Sequence, residues 1–316
     1  MNERQNKVDR RQFIQGAVSA GVGLMASPFA VANDPGSRMV ARMFFDSATA
    51  LALRAALRYA GDYGFVASLP QLLHARTNAP YDNIIWNTWF TTNSEESVVK
   101  TPQGNHVVVA VHGGGIFGNP EKIERTLRAD MNRLNDEGLT GQYAAKITDQ
   151  DARDLLQGRL QGGAEFPVYG FDEFKQGVAN LPVRYGVVLD FETARKADSG
   201  FVNFDILRDQ PNMIIRAGGT APLAAYLDKA KQRNNTEKMG SVHRHNNIDP
   251  DQPQTRILKL GGSKGGKGSD GREEGVSRGY DADWGISAGG LVDFARFVAV
   301  APRNVSTDLQ YLDFEL

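Results

Sequence analysis

Cysteine is absent from the whole 316-residue chain. That absence excludes thiolate-held iron–sulfur clusters, c-type haem attachment, Cys-ligated zinc and disulfides. Histidine is scarce, with five residues, so a site built from several imidazoles has few to draw on. Neither sign of charge dominates, with 36 Lys+Arg facing 37 Asp+Glu. Such a balance offers no broad electrostatic footprint for nucleic acid or for an anionic membrane. No apolar run reaches the roughly 20 residues that crossing a bilayer requires. What is present is a 41% hydrophobic composition with charge interspersed, the pattern of a folded, soluble globule.

The most specific signal lies at the start. Asp9-Arg10-Arg11-Gln12-Phe13-Ile14 resembles the twin-arginine export signal, in which a basic pair is followed one residue later by an apolar pair. A weakly apolar stretch from Phe13 to Ala26 follows, diluted by Gly16, Gly21 and Gly23. Ala30-Val31-Ala32 supplies the small residues a signal peptidase accepts, which places cleavage after Ala32. The resemblance implies a periplasmic protein, a twin-arginine translocase as partner during export, passage in the folded state, and no stable membrane anchor after processing. The mature chain from Asn33 stays near neutral and slightly acidic.

The rest divides into an N-terminal helical segment with a hairpin entry, 33–105, and a main domain, 106–316. Residues 33–46 read as a linker. Asp46 or Ser47 caps a helix through Tyr59, ended by Gly61. A second helix covers Leu69 to Ala75. The β-branched and aromatic run Ile84 to Phe90 predicts a strand. Val98-Val99 and His106 to Val111 flank a Pro/Gly loop and predict an antiparallel hairpin, its second strand apolar enough to be covered on both faces. Helices are predicted from Asn119-Pro120-Glu121 to Leu134, from Asp149 to Leu160 with Thr148 as N-cap, and from Pro222 to Gln232. Strands are predicted over Val183–Phe191, Phe201–Leu207, Met213–Ile215, Phe294–Val300 and Leu309–Phe314. Residues 261–279 are glycine-rich and read as an exposed loop. The alternation predicts an α/β or α+β fold, a mixed sheet flanked by helices with a small helical N-terminal segment.

Three clusters carry candidate chemistry. His112-Gly113-Gly114-Gly115 and Gly285-Ile286-Ser287-Ala288-Gly289 resemble motifs of the hormone-sensitive-lipase branch of α/β-hydrolases. The resemblance implies Gly113 and Gly114 as oxyanion amide donors and Ser287 as nucleophile, with His112 beside them. Ile286 stands where that branch has an acid, no histidine follows Ser287, and about 170 residues separate the motifs. A second reading takes Gly113, Gly114 and Gly115, with Arg216, Gly218 and Gly219, as anion cradles between a strand and a helix start. In the third, His243 and His245 are two apart on a strand and share a face, with Asp249 following from a turn. His-x-His with a later acid resembles the first cupin motif and admits a divalent metal.

Two functional readings stay open. One is a small-molecule hydrolase or metal-assisted enzyme sited near His112 to Gly115. The other is a non-catalytic periplasmic protein that binds a small molecule or a partner at the glycine junctions.

Overall fold

The computed structural model describes residues 39–131, 138–140, 144–234, 237–262, 285–289 and 295–302. The leader (1–32), most of the glycine-rich stretch (263–279) and the last expected strand (309–314) lie outside the described residues. Strand β1 (Met39–Asp46), helix α1 (Thr49–Ala60), β2 (Phe65–Val66), α2 (Leu69–Asn78), α3 (Ile84–Asn87), β3 (Phe90–Lys100) and β4 (His106–His112) come first. Next are α4 (Pro120–Met131), β5 (Ala145–Lys146), α5 (Asp149–Leu156), β6 (Val168–Gly170), α6 (Phe171–Gln176), β7 (Tyr185–Asp190) and α7 (Phe191–Arg195). The remainder is β8 (Gly200–Asn203), α8 (Phe204–Asp209), α9 (Pro211–Ala217), α10 (Thr220–Asn234), β9 (Lys238–Val242), β10 (Gln254–Leu260), β11 (Gly285–Gly289) and β12 (Ala295–Pro302).

These strands form a large mixed sheet in the order β6-β7-β4-β3-β10-β11-β9-β8, with β5 paired to β10, and a smaller sheet in the order β1-β12-β2. Pairing is antiparallel except for β6 with β7 and β11 with β9. Helices flank the large sheet, so the architecture is the mixed one that the sequence predicts. The period-2 rule shows in β4. Val108 and Ala110 pack with Phe174, Tyr185 and Leu189 on one face, while Val107, Val109 and Val111 pack with Ile147, Leu155 and Phe166 on the other. Its apolar run is continuous because both faces are covered.

Local signals behave as their chemistry requires at several ends. The Thr148 hydroxyl accepts from the Asp151 amide at 3.0 Å, and the Asp151 carboxylate accepts from the Thr148 amide, a reciprocal cap that starts α5. Asn119 Oδ1 accepts from the Glu121 amide at 2.8 Å where α4 begins at Pro120.

Four expectations need correction. Residues 39–46 are not linker: β1 pairs residue for residue with β12. Ile84 to Asn87 is helical, and the strand begins only at Phe90. Asn83 Oδ1 caps that turn through the Ile85 amide, and the buried Arg76 guanidinium binds the Ile85 and Thr88 carbonyls at 2.9 and 2.8 Å. These tertiary bonds override β propensity. Met213 to Ile215 lies inside α9, started by Pro211 in its first turn. Phe201 to Leu207 is split, since Phe204 opens α8.

Candidate functional site

The end of β4 places His112 at the sheet centre, opposite Ser94 of β3. His112 is fully buried and both ring nitrogens are occupied. Nε2 lies 2.9 Å from the Ile215 carbonyl, an acceptor only, so Nε2 carries the proton. Nδ1 then accepts from the Ser94 hydroxyl at 2.9 Å, and that hydroxyl accepts from the Leu69 amide at 2.9 Å. Burial pushes the His112 pKa down to about 4, against the opposing pull of the Ile215 bond. The imidazole is thus neutral and ties β3, β4 and α9 together.

Ser287 sits on β11, separated from β4 by β3 and β10. Three strand spacings put about 14 Å of sheet between Ser287 and His112, so the structure does not bring them together. The Gly113 and Gly114 amides both donate to the Asn93 carbonyl, at 2.9 and 3.0 Å, and are already spent.

The amides further along the loop do surround an anion, one that belongs to the protein. Ile116 N donates to Glu95 Oε1 at 2.7 Å and Phe117 N to Glu95 Oε2 at 2.8 Å. A Cβ on Gly115 would fall on that carboxylate, and a Cβ on Gly113 would strike the Val183 carbonyl. The glycines therefore let the loop lie against β3 on one side and the 183–184 segment on the other. Glu95 is 1% exposed. Burial pushes its pKa up to about 7, resisted by the Phe117 and Ile116 amides and by Arg184.

Arg216 also faces an internal partner. From α9 its Nε and Nη2 grip the two Glu96 oxygens at 2.6 and 2.7 Å, and Nη1 reaches the Val242 carbonyl at 3.2 Å. Burial raises the Glu96 pKa, but the charge and hydrogen bonds of Arg216, then those of His245, outweigh it and hold the group well below the usual carboxylate range. Gly218 and Gly219 join two helices, not a strand and a helix. Their amides donate to the Ile215 and Ile214 carbonyls in a Schellman stop, with Gly218 at φ 85°. Gly218→Ala is expected to cost about 1–2 kcal/mol for the left-handed backbone, and chemical denaturation reads this directly. A Cβ there also comes 3.0 Å from Pro70 Cβ.

His243 and His245 stack at 5.3 Å, both nearly buried. His243 Nε2 is held by the Ala197 carbonyl, and burial lowers its pKa. His245 Nε2 lies 3.6 Å from Glu96 Oε2. Asp249 is exposed and accepts from the Asp251 amide in its own turn. Among the described residues no three His, Asp or Glu side chains converge as a metal-binding group.

Above the glycine loop lies a cavity of about 190 Å³ lined by Gly115, Ile116, Leu155 and Leu160 and by the charged Lys122, Asp151, Asp154, Arg159 and Arg184. Lys122 pairs with Asp151 at 3.2 Å and Arg159 with Asp154 at 3.3 Å. Arg184, half-buried, donates Nε to the Gly113 carbonyl at 3.1 Å. Burial lowers its pKa, and Glu95 opposes that. Glu95, Glu96 and Arg184 escaped the sequence reading. Two adjacent acids just upstream of Val98-Val99, in a strand paired with a doubly covered one, were the signal available: each must point to an opposite buried face and find a partner there.

No protein-family model matches the chain, and no curated protein matches it. A solved structure described as "Accommodation of massive sequence variation in Nanoarchaeota by the C-type lectin fold" is similar in fold, with a TM-score of 0.56 and 23% identity. The alignment covers 86% of this chain and 100% of the other. Among the described residues no helix is long and apolar enough to cross a membrane.

Proposed function

We propose that this chain is an exported, non-catalytic binding protein whose ligand or partner site is the cavity over the glycine loop. The observation that carries this reading is the state of the groups an enzyme would need. His112 has both nitrogens engaged and no exposure, and the Gly113 and Gly114 amides are spent on Asn93. Ser287 lies three strands away. A serine without a base at hand is a poor nucleophile at neutral pH. The similar solved protein is described as accommodating massive sequence variation. A fold that accommodates sequence variation suits recognition, and recognition commonly sits on loops held by a rigid scaffold. The Arg10-Arg11 leader supports delivery of the folded chain to the periplasm.

Two measurements test the two halves. A fluorophosphonate applied to the purified chain is expected to give no labelling that depends on Ser287; labelling that vanishes in Ser287→Ala overturns the non-catalytic half. A reporter fused behind the first forty or so residues is expected to reach the periplasm and to stay in the cytosol once Arg10 and Arg11 are both lysine. Equal export by the double-lysine leader overturns the route.

A further inference from the structure

The geometry points to a binding site for a small organic monocarboxylate in the cavity above the glycine loop, with the Arg184 guanidinium as its anchor. This deepens the binding reading above and rests on it.

The first support is the charge inventory of the lining. Lys122, Arg159 and Arg184 face Asp151 and Asp154, which leaves one net positive charge. Two of the three cations are satisfied by the two acids, Lys122 by Asp151 and Arg159 by Asp154. Arg184 is different. Among the described residues no carboxylate comes within ion-pair distance of it, and its hydrogen bond to protein runs from Nε to the Gly113 carbonyl. That bond fixes the plane of the guanidinium while both terminal nitrogens remain available. Glu95 acts on it only through space, so this partly desolvated guanidinium has no ion-paired carboxylate, and an arriving anion offsets its desolvation cost. The fork geometry of arginine matches a carboxylate through two parallel N–H···O bonds.

The second support is what the neighbours disfavour. Asp151 and Asp154 line the same cavity. A dianion such as phosphate meets like charge on these sides, whereas a single charge is matched by the one surplus cation. Ile116, Leu155 and Leu160 supply apolar wall for a short hydrocarbon or ring attached to the carboxylate. A volume of about 190 Å³ admits a body of one ring or a few carbons. The anchor is also built into the fold. Gly113 offers Arg184 its carbonyl, and a Cβ on Gly114 would come 3.5 Å from Arg184 Nη2. Loop and guanidinium therefore lie in contact because the loop carries no side chains.

Calorimetric titration of the full chain with benzoate, benzamide and inorganic phosphate tests this assignment. At about pH 8.5, where inorganic phosphate is a dianion, benzoate is expected to bind, with benzamide and phosphate each at least about ten-fold weaker, since only benzoate then presents a single-charge fork partner. Arg184→Gln is expected to weaken benzoate by about ten-fold or more, and Arg184→Lys by an intermediate factor, because lysine keeps the charge and loses the fork. Arg195→Gln, outside the cavity and paired with Glu192 on its own helix, is expected to stay within about three-fold. Benzamide equal to benzoate, phosphate tighter than benzoate, or unaltered benzoate affinity in Arg184→Gln each overturns the site. If Arg184→Gln does not fold, the Arg184→Lys titration and the ligand comparison on the unaltered chain decide. No benzoate binding to the folded chain overturns this site alone, whereas Ser287-dependent labelling overturns the broader reading.

Discussion

Arg216→Met is expected to destabilise the fold by about 3–5 kcal/mol, the cost of breaking a buried ion pair from one side. Arg216 and Glu96 are 0% and 1% exposed, and the pair is bidentate. Removing the guanidinium leaves a carboxylate enclosed among β3, α9 and His245, with Arg256 beside it in the β3/β10 register as partial compensation. Against a typical total stability of about 5–15 kcal/mol, such a loss approaches unfolding at growth temperature. The companion change Glu96→Leu, made together with Arg216→Met, is expected to recover most of the deficit, because removing both charges removes the unpaired one. Urea midpoints for the two single variants and the double variant measure this. A single-variant loss below about 1 kcal/mol would show that water reaches Glu96 and that the pair is not structural.

The second large effect is a pH dependence hidden by cancellation. In the unfolded chain His112 regains its ordinary value of 6.5, while in the folded chain burial holds it near 4. Between those values the unfolded form binds the extra proton, so stability rises with pH. Glu95 runs the other way, from 4.5 unfolded to about 7 folded. Over that window the folded form holds the extra proton, so stability falls as pH rises. Each displacement corresponds to about 3 kcal/mol, and the two windows overlap from about pH 4.5 to 6.5. The lowered pKa of His243 adds to the side of His112. The intact chain is therefore expected to show a shallow profile across this range. His112→Gln should reveal stability that falls from pH 5 to 7.5, and Glu95→Gln should reveal stability that rises. Denaturation midpoints at the two pH values supply the comparison, and variants that keep the parental slope would refute the opposed titrations.

Much of the fold was legible wherever one residue's chemistry decides a local geometry. Thr148 and Asn119 start their helices, Gly61 ends one, and the Val107–Val111 run declares a strand covered twice. Legibility failed where tertiary partners decide. Ile84 to Asn87 has the composition of a strand, yet Arg76 from α2 binds its carbonyls and Trp86 stacks on Tyr226 of α10, so the segment closes into a turn of helix. The glycine loop reads from sequence as an anion cradle at Gly113 to Gly115, whereas the Gly113 and Gly114 amides go to the Asn93 carbonyl and the amides that meet a carboxylate are those of Ile116 and Phe117, whose partner Glu95 lies on the neighbouring strand. The same limit explains Arg216. A lone arginine before two glycines resembles a ligand clamp, and only the placement of α9 over β3 shows it already engaged.

The pairing of β1 with β12 joins the first and last described strands along their whole length. A chain emerging from the ribosome therefore carries β1 without its neighbour until β12 has been made, and β2 waits for the same strand. Closing so distant a contact costs loop entropy before it returns any packing, which makes completion of this sheet a late and slow event. Loss of β12 would strand two segments at once, so deleting its eight residues should be far more damaging than their number suggests.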